Sequence, residues 1–68
     1  MKISARNTLK GKIVEITKGA TTSHFRIDIG GAVVTASITN EAVADLGLAV
    51  GKQAYAVIKA SDVMVGID

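Results

Sequence analysis

Two short stretches at opposite ends of the chain concentrate hydrogen-bond donors. Near the N-terminus, Ile3-Ser4-Ala5-Arg6-Asn7-Thr8-Leu9 places a hydroxyl, a guanidinium, a carboxamide and a second hydroxyl within five positions, ahead of the first hydrophobic run. Near the C-terminus, Val57-Ile58-Lys59-Ala60-Ser61-Asp62-Val63 offers an ammonium and a hydroxyl around an alanine small enough to let backbone approach a ligand. A small oxyanion is held by converging donors, a cationic group or two, and backbone N–H groups of an irregular segment. Ser4, Arg6 and Asn7, the peptide N–H groups of Ala5 and Arg6, and Lys59, Ala60 and Ser61 make such a set. Arg6 and Lys59 would offset two negative charges. The segments are distant in sequence, but first and last strands meet when a small barrel closes, or across a subunit interface. As composition alone the pattern is also compatible with a surface arginine, a turn serine and an ordinary Lys-Ala-Ser hairpin.

Other chemistries find less support. There is no cysteine, and the single histidine, His24, lies between Ser23 and Phe25 on an alternating segment with no carboxylate placed to orient it. Glu15, Asp28, Glu41, Asp45, Asp62 and Asp68 are scattered, so no pair suggests acid–base catalysis and no cluster suggests a metal site. The expectation is a non-enzymatic protein with no catalytic cofactor and no bound metal ion. An oligonucleotide-binding module is the rival reading, but such sites combine a basic groove with stacking platforms. Here the aromatic side chains are Phe25, which has the inward phase of its strand, and Tyr55.

The elements that must position these groups can be read from periodicity. Leu9 to Lys18 begins with Leu9, Gly11 and Ile13 on one face and then shifts phase to Val14 and Ile16, which predicts a long strand with a bulge near Ile13 or Val14. After a Lys18–Thr22 turn, Ser23–Ile29 alternates with Phe25, Ile27 and Ile29 inward and His24, Arg26 and Asp28 outward. Gly30-Gly31 is a hairpin signal, because two glycines accept the positive φ of a tight turn. The following Ala32–Ile38 is apolar on both faces apart from Thr35 and Ser37, which predicts a strand between two neighbours. The period then changes: Thr39 or Asn40 caps a short helix, Glu41 suits its N-terminus, Val43 and Leu46 form a buried stripe, and Gly47 ends it. Gln53–Lys59 reads as a fourth strand and Asp62–Ile67 as a fifth, with Val63, Val65 and Ile67 on one face. The expected fold is all-β with one short helix, an OB-fold-like five-stranded barrel in the order β-β-β-α-β-β.

Sixty-eight residues make at most one domain, expected to span residues 1–68. A chain this short buries only about 60% of its unfolded surface and usually needs disulfides, a metal or self-association. With 49% hydrophobic residues and a mean hydropathy of +0.40, self-association is the expected remedy. No apolar run approaches the roughly 18 residues of a membrane span, and the start lacks the apolar centre of a secretory signal, so the expected compartment is cytoplasmic. A net charge of +2 is a mild bias toward anions, far short of a polybasic tail.

Ile3-Ser4-Ala5-Arg6-Asn7, the L-x-G-x-I-x-x-I-x-x-G run from Leu9, the Thr35–Thr39 segment, V-A-D-L-G-L-x-x-G-K from Val43 and A-x-A-V-I-K-A-S-D-V-M-V from Ala54 closely resemble the molbindins. These are small molybdate-binding proteins related to the TOBE domains of molybdate transporters and regulators. The resemblance runs from Ile3 to about Gly66. It implies an OB-like barrel, a hexamer built from dimers, and molybdate or tungstate bound between subunits for storage or homeostasis. Carried over by position, it implies that Ser4, Ala5, Arg6, Lys59, Ala60 and Ser61 line the pocket, with Asn7 beside them. It also implies a second kind of site, assigned here to Lys18, Gly19, Ala20 and Thr21 and to the helix start at Thr39 and Asn40, since a Lys-Gly loop and a helix N-terminus favour anions. Molybdate is a tetrahedral dianion with only acceptor oxygens, which a donor-only pocket matches. Hydrogen phosphate brings a proton that such a pocket leaves unpaired, at about 1–3 kcal/mol. Sulfate must be rejected by size, and tungstate is close enough in size that little discrimination is expected.

Overall fold

A computed structural model describes all residues from Met1 to Asp68. Four strands form, β1 (Asn7–Lys18), β2 (Thr22–Asp28), β3 (Val33–Thr39) and β4 (Gln53–Ile58), with the helix α1 (Asn40–Leu46) between β3 and β4. All pairings are antiparallel, and the order across the sheet is β3-β2-β1-β4. The sheet curls into half a barrel.

The long β1 serves two partners because it changes phase. Its register with β2 slips between Ile13 and Glu15, so Ile13 stays buried at 1% exposure while Ile16 re-enters on the inner side. Val14 is the residue left over and is 45% exposed. The bulge read from the sequence is therefore present, and it leaves both backbone groups of Ile13 for the loop before β4. Ile13 N–H donates to the Lys52 carbonyl at 2.9 Å, and Gly51 N–H donates to the Ile13 carbonyl at 2.8 Å. β2 alternates as expected, with Ser23, Phe25 and Ile27 buried and His24, Arg26 and Asp28 exposed. Gly30 and Gly31 make the turn to β3 with φ of 86° and 102°, values that L side chains rarely adopt.

Gly11 has a different reason to be glycine. A Cβ there would lie 2.5 Å from the Asp28 carbonyl oxygen and 2.8 Å from Ile27 Cγ2, so β1 and β2 approach too closely for a side chain. Gly11→Ala is expected to destabilise the fold by about 1–3 kcal/mol, the usual cost of overpacking. Urea unfolding checks this, and an unchanged midpoint would show that the strands separate freely.

The helix begins and ends as its sequence directs. Thr39 Oγ1 accepts from Ala42 N–H at 3.1 Å, and Gly47 closes the helix at φ 62°. Lys52 Nζ donates to the Gly47 carbonyl at 2.8 Å, placing a cation where the helix dipole favours one.

Three expectations need correction. The strand expected at Asp62–Ile67 does not form: β4 is followed by a 3-10 turn at Ala60–Asp62, and the chain then runs on without a ladder partner. Alternation marks a segment that can be a strand, but a ladder also needs an edge to bond to. β3 is an edge strand and not flanked on both sides: its one ladder partner is β2. Leu46 is 67% exposed and not buried; its side faces the place the missing strand leaves open.

That place is a slot between the free edges of β3 and β4, floored by Ile13, Phe25 and Ile27 and flanked by Leu46 and Leu48. Only Ile13, Phe25, Ile27 and Ala56 are buried apolar residues, so a large part of the apolar inventory remains on open surface.

Candidate oxyanion site

The sequence placed donors at both ends of the chain, and the fold brings the two ends together. β1 and β4 are neighbours, and their register opens with Asn7 opposite Ile58. Asn7 Nδ2–H donates to the Ile58 carbonyl at 3.2 Å, a side-chain tie across the mouth of this strand pair. Arg6 immediately precedes this pair and Lys59 immediately follows it.

Both halves are irregular, as backbone recognition of an anion requires. Residues 1–6 precede β1 without strand geometry. Ser4 and Arg6 are exposed, and Ala5 is half-buried. On the other side Lys59 leads into the turn with extended geometry, and the turn is closed by Asp62 N–H donating to the Lys59 carbonyl at 2.9 Å and Val63 N–H donating to the Ala60 carbonyl at 3.3 Å. The N–H groups of Ala60 and Ser61 are outside these bonds. The arrangement offers two cations, the Ser4 and Ser61 hydroxyls and main-chain donors on an open surface. Charge-assisted donors of this kind favour an acceptor-only anion.

The second set of residues also converges, but its donors are largely spent. Asn40 N–H donates to the Thr21 carbonyl at 2.9 Å, and Asn40 Nδ2–H donates to the Gly19 carbonyl at 3.0 Å. Gly19 N–H in turn donates to the Thr22 carbonyl at 2.8 Å. Ser23, 2% exposed, gives its hydroxyl proton to Asn40 Oδ1. Asn40 thus clasps the Lys18–Thr21 loop to the helix start. Lys18, Ala20, Thr21 and Thr39 are exposed around it. The sequence marks Asn40 as a helix cap and a candidate anion ligand, but not as a clasp; the signal that was available is its partner Ser23, a polar residue in the inward phase of β2. Asn40→Ala is expected to cost about 1–3 kcal/mol, because buried Ser23 loses its acceptor. A double-mutant cycle with Ser23→Ala, read by urea unfolding, checks it: additive losses would show that the pair is not coupled.

A separate open hollow is lined by Lys10, Lys12, Asp28, Gly30 and Gln53 among others. The Asp28 carboxylate, whose Oδ1 accepts from Gly30 N–H at 2.8 Å, makes it a poor place for a dianion. No group of three His, Cys, Asp or Glu side chains is gathered to hold a metal ion. Phe25 is 2% exposed and offers no stacking face, leaving Tyr55 as the one exposed aromatic ring.

The TOBE domain model matches residues 3–65, which takes in both donor segments. The chain belongs to the TOBE-domain family, in its small molbindin branch. It is 54% identical to a probable molybdenum-pterin-binding protein of Haemophilus influenzae, with the whole of both chains aligned. It is 47% identical to molybdenum-pterin-binding protein 3 of Clostridium pasteurianum over 96% of this chain and 97% of that one. Among solved structures, MopII from Clostridium pasteurianum superposes with a TM-score of 0.91 at 42% identity, covering 97% of this chain and all of that one. A molybdate-bound structure of the cytoplasmic molybdate-binding protein ModG gives 0.93 at 42% identity, with all of this chain covering 49% of that one. These TOBE relatives are binding proteins by name. No helix of this chain is long and apolar enough to cross a membrane.

Proposed function

We propose that this chain binds molybdate, and tungstate comparably, without catalysing a reaction, and serves cytoplasmic molybdenum storage or homeostasis. The observation that supports this is the Asn7–Ile58 tie, which sets the start of β1 beside the end of β4; on that ground we read Ser4–Asn7 and Lys59–Ser61 as one donor set. Arg6 and Lys59 balance the two charges of the anion. The hydroxyls of Ser4 and Ser61 and the N–H groups around Ala5 and Ala60 meet its oxygens, and Asn7 holds the mouth. The relatives support the same cargo, since those of known structure include a molybdate-bound protein. A second, weaker locus lies at Lys18, Ala20, Thr21 and Thr39, framed by Gly19 and Asn40.

The working form is a homo-oligomer, a hexamer built from dimers, in which residues 1–68 act as one unit and sites are completed at subunit contacts. Burial supports this: 5 of 68 residues are buried, too few for a domain that must offset its own chain entropy. The free edges of β3 and β4 flank an apolar slot, and the chain carries an unused strand, Val63–Ile67. That strand fills the slot of a second copy and completes a five-stranded barrel of the OB type.

Isothermal titration calorimetry tests the function. Molybdate and tungstate are expected to bind with similar micromolar or tighter affinity, undisturbed by millimolar sulfate, and single-stranded DNA or RNA is expected to give no heat at physiological salt. Sulfate competing on equal terms, or binding of oligonucleotide alone, would overturn the reading.

A further inference from the structure

The hydrogen bonds around the Lys18–Thr21 loop spend donors, and they spend the loop's acceptors too. The Gly19 carbonyl receives Asn40 Nδ2–H at 3.0 Å, the Thr21 carbonyl receives Asn40 N–H at 2.9 Å, and the Thr22 carbonyl receives Gly19 N–H at 2.8 Å. The N–H groups of Ala20 and Thr21 take part in none of these bonds, and both residues are exposed beside Lys18. Successive free N–H groups, with the carbonyls around them already engaged, favour an anion.

One carboxamide holds this polarity, and it works in only one orientation. Asn40 has an oxygen that accepts and a nitrogen that donates. With the oxygen toward the Gly19 carbonyl, acceptor would face acceptor, so the nitrogen takes that side. The loop cannot open freely to suit the other orientation, since Gly19 sits in a turn so tight that a Cβ would lie 2.7 Å from the Thr22 carbonyl oxygen. The Asn40 oxygen therefore turns inward, where the Ser23 hydroxyl donates to it at 2% exposure. Stability alone does not call for this pair, because replacing both partners of a buried hydrogen bond by apolar groups of the same shape can be nearly neutral. An apolar pair would leave the Gly19 carbonyl without its donor.

We propose that buried Ser23 is a positioning residue for the second oxyanion locus: by donating to Asn40 Oδ1 it fixes the carboxamide with its nitrogen toward the loop, and that nitrogen keeps the Gly19 carbonyl away from an anion held by the Ala20 and Thr21 N–H groups. This rests on the reading of the Lys18–Thr21 locus given above. Ser23 does not touch the anion. Its hydroxyl acts through Asn40 on the Gly19 carbonyl, so that the loop meets its ligand with donors already outward and no reorganisation to make on binding. Without the hydroxyl, Asn40 Oδ1 lacks its donor, the carboxamide leaves its orientation, and the Gly19 carbonyl is released to repel the ligand.

Amide NMR titration of the full-length protein with sodium molybdate reads the two loci separately, one at Ala20 and Thr21 and the other at Ala60 and Ser61. In Ser23→Ala the midpoint at Ala20 and Thr21 is expected to rise at least tenfold, while that at Ala60 and Ser61 stays within twofold. Ser23→Thr, which keeps the hydroxyl, should recover most of the loss, and Ser23→Val, of the same shape without it, should not. Equal midpoints in the Thr and Val variants, a Ser23→Ala change shared by both loci, or no change at Ala20 and Thr21 would reduce Ser23 to a packing role and overturn the proposal. Ala20 and Thr21 signals that ignore molybdate in the unsubstituted protein would remove the second locus and the role of Ser23 with it, leaving the first locus standing on Ala60 and Ser61. Silence at both pairs overturns the binding function itself.

Discussion

Removal of residues 63–68 is expected to turn an oligomer into monomers at the concentrations where the full-length chain is assembled. In the isolated chain these residues contribute nothing to a core: Val63 is 50% exposed, and Met64, Val65 and Ile67 exceed 90%. Docked into the slot between β3 and β4, each aliphatic side chain would contribute about 1.5–3 kcal/mol. Three of them give on the order of 5–9 kcal/mol before the cost of ordering the tail. Even with half of that cancelled, the dissociation constant should rise by roughly a hundredfold or more. Light scattering on the truncated and full-length chains reads this directly. Equal masses at equal concentration would mean that another surface holds the oligomer together, and that the slot is not filled by the tail. The four strands do not include the deleted residues, so a folded monomer with its far-UV spectrum retained is the form expected after truncation.

Arg6→Ala is expected to weaken molybdate binding by about 1.5–3 kcal/mol, the scale of a charge-assisted hydrogen bond. That corresponds to roughly 10- to 150-fold in dissociation constant. Arg6 is exposed and precedes the first residue of β1, so its loss removes no packing and no ladder bond. Stability should therefore hold while affinity falls, a separation that calorimetry and urea unfolding of the same sample can show. Arg6→Lys should recover only part of the loss, because an ammonium keeps the charge but not the planar fork of donors. Unchanged affinity in Arg6→Ala would remove Arg6 from the site.

Local features of the fold were legible because their causes are local. The bulge near Ile13 follows from a phase change within one strand, the turn at Gly30-Gly31 from two residues tolerant of positive φ, and the helix from Thr39 and Gly47 at its ends. The candidate site was legible as two donor groups, since hydroxyl, guanidinium and ammonium groups are visible in any sequence. That the strands leading from them pair within one chain was not, because β1 and β4 become neighbours through residues 51 positions apart, Asn7 and Ile58. The clasp of Asn40 on Gly19, Thr21 and Ser23 was hidden for the same reason. Asp62–Ile67 has the alternation of a strand, and alternation describes which side chains want cover, not whether a ladder partner lies within reach. β3 is left as an edge and Leu46 exposed in a sheet of four strands.

Native mass spectrometry of the full-length protein, with and without molybdate and with sulfate as the control anion, tests the central claim most directly. The account predicts an oligomer that takes up whole molybdate ions in a fixed ratio to its subunits, keeps them in excess sulfate, and loses them on Arg6→Ala. An oligomer that carries no molybdate, or exchanges it freely for sulfate, would contradict it.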